Sequence, residues 1–267
     1  SDEPLGCMLV ADGNDSGTYD LIHACGYEYE TPDNSGAHSS APVRHITQSY
    51  DSSLGKYVFN FILHIQNDDD RGLANVKDRQ RNEIKTDAKS PATMVAQKGE
   101  TLRMRWKFRL PEGMKTTSNF AHVHQLKGID NAAGTADVSQ PLVTYTARSK
   151  NGGQVLQVIY VYPSEANKSN EYLAECNLAD FLGQWVEVCE TVTFDTPGSY
   201  STVITRISDQ KVLVKIDGVK KDLWRTGTTG LRPKWGLYRY FGDSRSLASS
   251  LRDETLNFAD FSIEKLN

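Results

Sequence analysis

The sequence predicts an all-β fold: a two-sheet antiparallel sandwich of jelly-roll type, built as a single domain over residues 1–267. Three observations carry that expectation. From Tyr57 onward, short runs of β-branched and aromatic residues follow one another, separated by turn signals such as Pro111-Glu112-Gly113, Asn151-Gly152-Gly153, Pro197-Gly198 and Asp217-Gly218. Only the stretch EYLAECNLADFLG has the character of a helical turn. No self-similarity recurs at a period of about 20 to 50 residues, which argues against propellers and solenoids.

Taken in order, residues 1 to about 50 are rich in Gly, Ser, Asp and Pro and lack periodicity, so they are expected to wrap the body as an irregular segment tied down by Cys7 and Cys25. Eleven strands are expected after it, over 56–65, 78–86, 100–110, 119–127, 141–149, 154–162, 184–194, 199–207, 211–216, 233–241 and 255–264. The segments GQWVEVCETVTF and SYSTVITRISDQKVLVKIDG alternate apolar and polar residues through consecutive hairpins and form scaffold. The cysteines Cys7, Cys25, Cys176 and Cys189 match neither a C-x-x-C redox motif nor a zinc ribbon; they fall into two sequence-local pairs, read as two disulfides of a secreted protein. The sequons at Asn14 and Asn167 are compatible with export. The opening residues hold no basic stretch followed by an apolar one, so either a targeting segment was removed or there never was one.

With 38% hydrophobic and 24% charged residues the chain has a folded, not a disordered, composition. No apolar run approaches the roughly 18 residues that span a bilayer. The balance of 30 Lys plus Arg against 34 Asp plus Glu, a formal charge of -4, argues against a duplex nucleic-acid binder. An average of this kind conceals local rows of charge.

Such rows emerge when strand parity is applied, because successive side chains of a strand point to opposite faces. In 102–110, Leu102, Met104, Trp106, Phe108 and Leu110 take the core face; Arg103, Arg105, Lys107 and Arg109 line the other, about 7 Å apart. Those four are expected to solvate an outer face. In 78–85, Arg79, Arg81, Glu83 and Lys85 share a face; in 234–240, Lys234, Gly236, Tyr238 and Tyr240 do, with Arg239 beside them in sequence. A glycine within a strand marks close approach of a ligand or another backbone, and tyrosines beside lysine form a flat stacking surface with a phenolic donor. An arginine held by a glutamate can pair with a ligand carboxylate. The partner so implied is an extended anion.

The strand around 119–127 is also polar. Parity puts Phe120, His122, His124 and Leu126 on one face and Asn119, Ala121, Val123, Gln125 and Lys127 on the other, unless a bulge intervenes. His122-x-His124 would suit zinc, but no further ligands are evident. The run Asn67-Asp68-Asp69-Asp70 offers oxygens for a structural calcium, with a solvated loop as the simpler expectation.

At these three strands the sequence resembles the jelly-roll polysaccharide lyases with a concanavalin A-like fold, the group of the alginate, glucuronan and heparin lyases. The alginate-lyase strands R-x-E-L-R, Q-I-H and K-x-G-x-Y are similar, in order and spacing, to Arg81-Asn-Glu83-Ile-Lys85, Gln125-Leu-Lys127 and Lys234-Trp-Gly-Leu-Tyr238. Two positions depart: the last basic residue of the first motif is a lysine, and Lys127 replaces the motif histidine, which leaves His124 or His122 as substitutes.

The resemblance implies β-elimination on a uronate-containing polysaccharide by a secreted monomer that requires no cofactor. Arg81 and Gln125 would offset the substrate carboxylate and the charge that develops next to it, and Tyr238 would be the acid. The resemblance also implies that Arg79, Glu83, Lys85, His122, Lys234, Arg239 and Tyr240 bind substrate. Where the C5 hydrogen and O4 lie on the same side of the ring, one tyrosinate beside Lys127 and Lys234 serves as base and acid; the opposite arrangement needs a second group such as His124. The displaced motif histidine favours a glucuronate-type substrate. A non-catalytic carbohydrate-binding module of the same fold is the alternative. A retaining glycoside hydrolase would need an E-x-D-x-E strand, which the sequence lacks.

Overall fold

The structure, a computed structural model, describes residues 7–163 and 168–267; the Asn167 sequon lies outside the described residues, while Asn14 is exposed. The short helix α1 (Thr18–Ala24) precedes strands β1 (Glu28–Glu30), β2 (Ile46–Asp51), β3 (Lys56–Leu63), β4 (Arg79–Lys85), β5 (Thr101–Arg109), β6 (Ala121–Ile129) and β7 (Val143–Lys150). The chain continues through β8 (Gly153–Tyr160), β9 (Glu171–Asn177), β10 (Trp185–Thr193), β11 (Gly198–Arg206), β12 (Val212–Lys221), β13 (Gly230–Tyr240) and β14 (Glu254–Lys265). They form two seven-stranded antiparallel sheets, ordered β1-β4-β13-β6-β7-β8-β9 and β12-β11-β10-β5-β14-β3-β2. This is a jelly-roll sandwich. No described helix is long and apolar enough to cross a membrane.

All eleven expected strands are present, and three more join them. Two of these, β1 and β2, together with α1, lie in the stretch expected to be irregular. The third, β9, occupies the start of the segment expected to be a helical turn. It is an edge strand whose residues are exposed or half-buried, so its sequence shows no clean apolar alternation. A 3-10 turn over Leu178–Asp180 follows it.

The space between the sheets is filled by the inward halves of both. Trp106 on β5 packs edge-on to Trp235 on β13 with ring centroids 5.5 Å apart, and Phe61 packs against Phe258 at 4.9 Å. Fully burying side chains of this size is worth about 1.5–3 kcal/mol each in transfer free energy, which is why the parity of β5 and β13 is so strongly enforced. Arg103, Arg105, Lys107 and Arg109 do face outward, and neighbouring acids neutralise part of the row: Lys107 Nζ lies 2.6 Å from Asp260 and Arg109 2.5 Å from Asp51.

The cysteine expectation is half corrected. Cys7 and Cys25 form a disulfide across 18 residues of sequence, pinning the start of the described chain to the end of α1. Cys176 and Cys189 are free thiols. They cannot meet because they belong to different sheets: Cys176 packs against the core from edge strand β9, and Cys189 sits on β10 opposite Arg105, on that sheet's outer face. Burial pushes the Cys176 thiol up to about 11.

Candidate active site

The three polar strands singled out by parity are adjacent in the first sheet, with β13 between β4 and β6. Register brings their side chains together in rows. Tyr238 pairs with Arg81 on one side and His122 on the other, Gly236 with Glu83, and Lys234 with Lys85 and Gln125. Gly236 is required by the backbone rather than by a ligand. Its φ is +144°, and a Cβ there would fall 2.0 Å from the Asn82 carbonyl oxygen, a fixed atom of the neighbouring strand.

Glu83 is the hub of the cluster. It is fully buried, accepts hydrogen bonds from Arg81 Nη1 at 2.5 Å and Gln125 Nε2 at 2.8 Å, and has Lys234 Nζ at 3.5 Å. Burial alone would raise its carboxyl, but Lys234 and Arg81 outweigh it, so the group stays charged below the ordinary carboxylate range. Arg81 is further held by Asp70, to which its Nε donates at 3.1 Å, and burial is outweighed there too by Glu83, Glu30 and Asp70, which keep it cationic.

Glu30, from β1, is a member of the cluster that strand parity does not reveal. It lies in a three-residue strand within the aperiodic N-terminal segment, and its carboxylate sits 2.5 Å from Lys234 Nζ and 3.5 Å from Lys85 Nζ. Burial opposes its charge, but Lys234, Arg81, Lys85 and Arg71 hold its carboxyl far below the usual range. Arg232 was also missed. It is one register step beyond Lys234 on β13, opposite Lys127.

Above this buried floor lie groups that reach solvent. Arg79 Nη1 donates to Tyr238 Oη at 2.8 Å, and the Arg81 guanidinium covers the Tyr238 ring at 3.6 Å from its centroid. Phe120 stacks on His122 at 4.6 Å and lies 5.1 Å from the Tyr238 ring and 6.0 Å from that of Tyr240. His122 Nδ1 is 2.8 Å from Thr146 Oγ1, and burial, with the cations Arg148, Arg81 and Lys127, pushes its imidazole down to about 3 against the pull of Glu83. It is therefore neutral at ordinary pH. Lys127 is pushed down to about 8 by burial first and by Arg81 and Arg232 next.

The strand thus brings His122, Gln125 and Lys127 to one face although 122 and 125 differ in parity. β6 carries an irregularity between His122 and His124 in its pairing with β7, so that Val123 and His124 both turn inward. His124 therefore does not join the cluster. It is fully buried between Trp106 and Trp235, with Nε2 2.8 Å from Glu190 Oε1 and Nδ1 2.9 Å from the Lys234 carbonyl. The zinc pairing of His122 with His124 fails for the same reason. Arg239 also turns inward, as its parity within β13 dictates: it is buried, donating to Gln80 Oε1 at 2.9 Å and to the Arg252 carbonyl at 2.8 Å. Of the residues expected at the site, Arg79, Arg81, Glu83, Lys85, His122, Gln125, Lys127, Lys234, Tyr238 and Tyr240 share one face.

Chemically, this face offers an anion site of fixed cations, a phenol held by two guanidinium groups and a neutral imidazole beside it. Those are the parts needed to hold a carboxylate and move a proton next to it.

No protein-family model and no curated protein matches the sequence. Solved structures do match its fold. A marine PL-14 alginate lyase from Aplysia kurodai superposes with a TM-score of 0.60 over 97% of this chain and 98% of its own, at 11% identity. A family 7 alginate lyase, A1-II′, crystallised as a double variant with a substrate, gives 0.57 over 93% and 95% at 16% identity. An endo-β-1,4-glucuronan lyase from the fungus Trichoderma reesei gives 0.51 over 89% and 94% at 13% identity. The chain has the jelly-roll fold shared by these polysaccharide lyases.

Proposed function

We propose that the protein is a secreted polysaccharide lyase that cleaves a uronate-containing, glucuronate-type anionic polysaccharide by β-elimination. The observation that carries this is the Tyr238 hydroxyl, 2.8 Å from Arg79 Nη1, with Arg81 against its ring, on the same face as Gln125 and Lys127. The fold likeness and the Cys7–Cys25 disulfide, a bond of oxidising compartments, are consistent with it.

In the proposed reaction the uronate carboxylate lies over Gln125 and Arg81, with Lys127 at its edge. Neutralising that carboxylate makes the adjacent C5 proton removable. Tyr238 as phenolate takes the proton from C5; the C5–H electron pair forms the C4–C5 double bond, and the C4–O4 bond breaks. The oxygen leaves with the proton that Tyr238 has gained, which restores the phenolate. Phe120 and Tyr240 offer ring faces against which a neighbouring sugar can stack.

One observation favours a second stereochemistry. His122 pairs in register with Tyr238, with ring centroids 5.9 Å apart, so it is placed to act as the base while Tyr238 is the acid, as a substrate with C5–H and O4 on opposite sides requires. A panel of glucuronan, alginate, heparin and pectate, followed by ultraviolet absorbance of the unsaturated product, tests both. Turnover of glucuronan supports the one-tyrosine route, and turnover confined to the opposite epimer supports His122. Binding without new absorbance on any polymer would leave a carbohydrate-binding module instead.

A further inference from the structure

Away from this face, the sandwich edge near α1 holds a second cluster that the lyase chemistry does not use. His38, in a 3-10 turn over Gly36–His38, His45, just before β2, and His64, just after β3, converge on Asp68. His38 Nε2 and His45 Nε2 each lie 2.8 Å from Asp68 Oδ1, and His64 Nδ1 lies 3.1 Å from Oδ2. One ligand atom from each of the four residues falls within 4.8 Å of the other three. The rings approach with centroids 5.0 to 6.1 Å apart. Asp68 and Asp70 are each 1% exposed, so the expectation of a solvated loop at Asn67–Asp70 is corrected at those two positions, while Asn67 is exposed and Asp69 half-buried.

We propose that His38, His45, His64 and Asp68 form a tetrahedral binding site for a transition-metal ion of the zinc class.

Three features of the cluster support this. Ligands at about 2.0 Å from a tetrahedral zinc stand about 3.3 Å apart; the nitrogen-to-oxygen distances of 2.8 to 3.1 Å, two to Oδ1 and one to Oδ2, lie just below that value, and the whole set falls within 4.8 Å, so an ion would draw the widest pair together. The tautomer of His45 is set by its surroundings. Its Nδ1 faces two acceptors, Asp33 Oδ1 at 2.8 Å and the Val43 carbonyl at 2.9 Å, so Nδ1 carries the proton. His45 Nε2 faces Asp68 Oδ1 at 2.8 Å, and a cation bound between them would take the place of the proton that the two atoms share. Asp33 itself accepts from Tyr19 and from the His45 backbone N–H, which makes it the outer carboxylate that typically orients a metal-bound histidine.

The donor set selects the metal. Three imidazole nitrogens and one carboxylate suit zinc and its neighbours, whereas calcium takes six to eight oxygens. The role is structural, because all four positions are filled by protein. The metal would fasten the N-terminal segment to the 64–70 loop, and that loop supports Arg81: Asp70 accepts from Arg81 Nε, and the Asp69 carbonyl accepts from its backbone N–H at 3.1 Å. The site does not depend on the proposed activity.

The test is metal content of the purified chain, followed by removal with a chelator and titration of the stripped protein with Zn2+ and Co2+. Stoichiometric zinc, intense visible bands of tetrahedral Co2+, and a lowered melting temperature after stripping are expected. His64→Gln, at the most exposed ligand, should weaken Zn2+ binding by more than about 100-fold and abolish the Co2+ bands. Should that variant not fold, the wild-type Co2+ spectrum decides alone. A stripped chain that melts cooperatively yet binds neither ion, or a folded His64→Gln chain that keeps the Co2+ bands, would overturn the proposal.

Discussion

Replacing Glu83 with glutamine keeps the volume of the side chain and removes only its charge. Glu83 lies 3.5 Å from Lys234 Nζ, a separation at which unit charges attract by about 5 kcal/mol at an effective dielectric of about 20. The cost of keeping a carboxylate out of water offsets part of this. Removing one partner of such a buried set costs a net of about 3–5 kcal/mol, because the remaining charges stay buried and uncompensated. The amide also turns an –NH2 toward either Arg81 Nη1 or Gln125 Nε2, both of which are donors. Urea unfolding followed by tryptophan fluorescence should therefore show Glu83→Gln destabilised by about 3–5 kcal/mol with an unchanged m-value. Polyanion affinity should fall with it, since Arg81 and Gln125 lose their common anchor. A loss below about 1 kcal/mol, the range of an exposed pair, would refute the view that Glu83 organises the site.

Other outcomes follow from the same geometry. Lys127 titrates near 8 in the folded chain against an ordinary 10.5, so between those values the unfolded chain binds more protons and this group's contribution to stability rises with pH. Over the same window its positive charge leaves, so polyanion binding should weaken above about pH 8, and Lys127→Met should remove that step from a plot of affinity against pH. His124→Ala should destabilise the fold by about 1–3 kcal/mol by leaving Glu190 Oε1 without its partner while Oε2 keeps Tyr200, on top of the cavity left between Trp106 and Trp235, as read by denaturant melts. A thiol count in denaturant should find two free cysteines, Cys176 and Cys189, and Cys25→Ser should cost about 3 kcal/mol for opening a loop of this length.

How much of this was legible beforehand varied with the local physics. β4 and β13 pair with each other without a register shift, so a period of two assigned Arg81, Glu83, Lys234 and Tyr238 to their face directly. β6 defeated the same rule at one point. Its irregularity turns His124 into the core and leaves His122 outside, and no residue at Val123 marks the extra step. Arg239 followed parity into the inter-sheet layer, where Gln80 and the Arg252 carbonyl satisfy it; its charge, not its position, had suggested a ligand. Glu30 was out of reach because a three-residue edge strand has too few positions to show a period. The four residues of the histidine cluster lie 30 positions apart at their extremes, from His38 to Asp68, joined only by the β2–β3 hairpin and the loop after it. Such a set has no spacing signature, and only the carboxylate run at Asn67–Asp70 hinted at it. The local pairing of Cys176 with Cys189 misled because the twelve intervening residues carry the chain from one sheet to the other.

In the proposed reaction the Tyr238 hydroxyl moves the proton on a surface that binds uronate chains. Tyr238→Phe removes that oxygen while leaving the ring beneath Arg81, so it separates binding from chemistry. On the polymer that the wild-type chain degrades, the variant should bind with affinity within a few-fold of wild type, while the appearance of unsaturated product falls by at least about 10²–10⁴-fold, the usual worth of a positioned acid–base group. Turnover by Tyr238→Phe at the wild-type rate would rule out proton transfer by this hydroxyl.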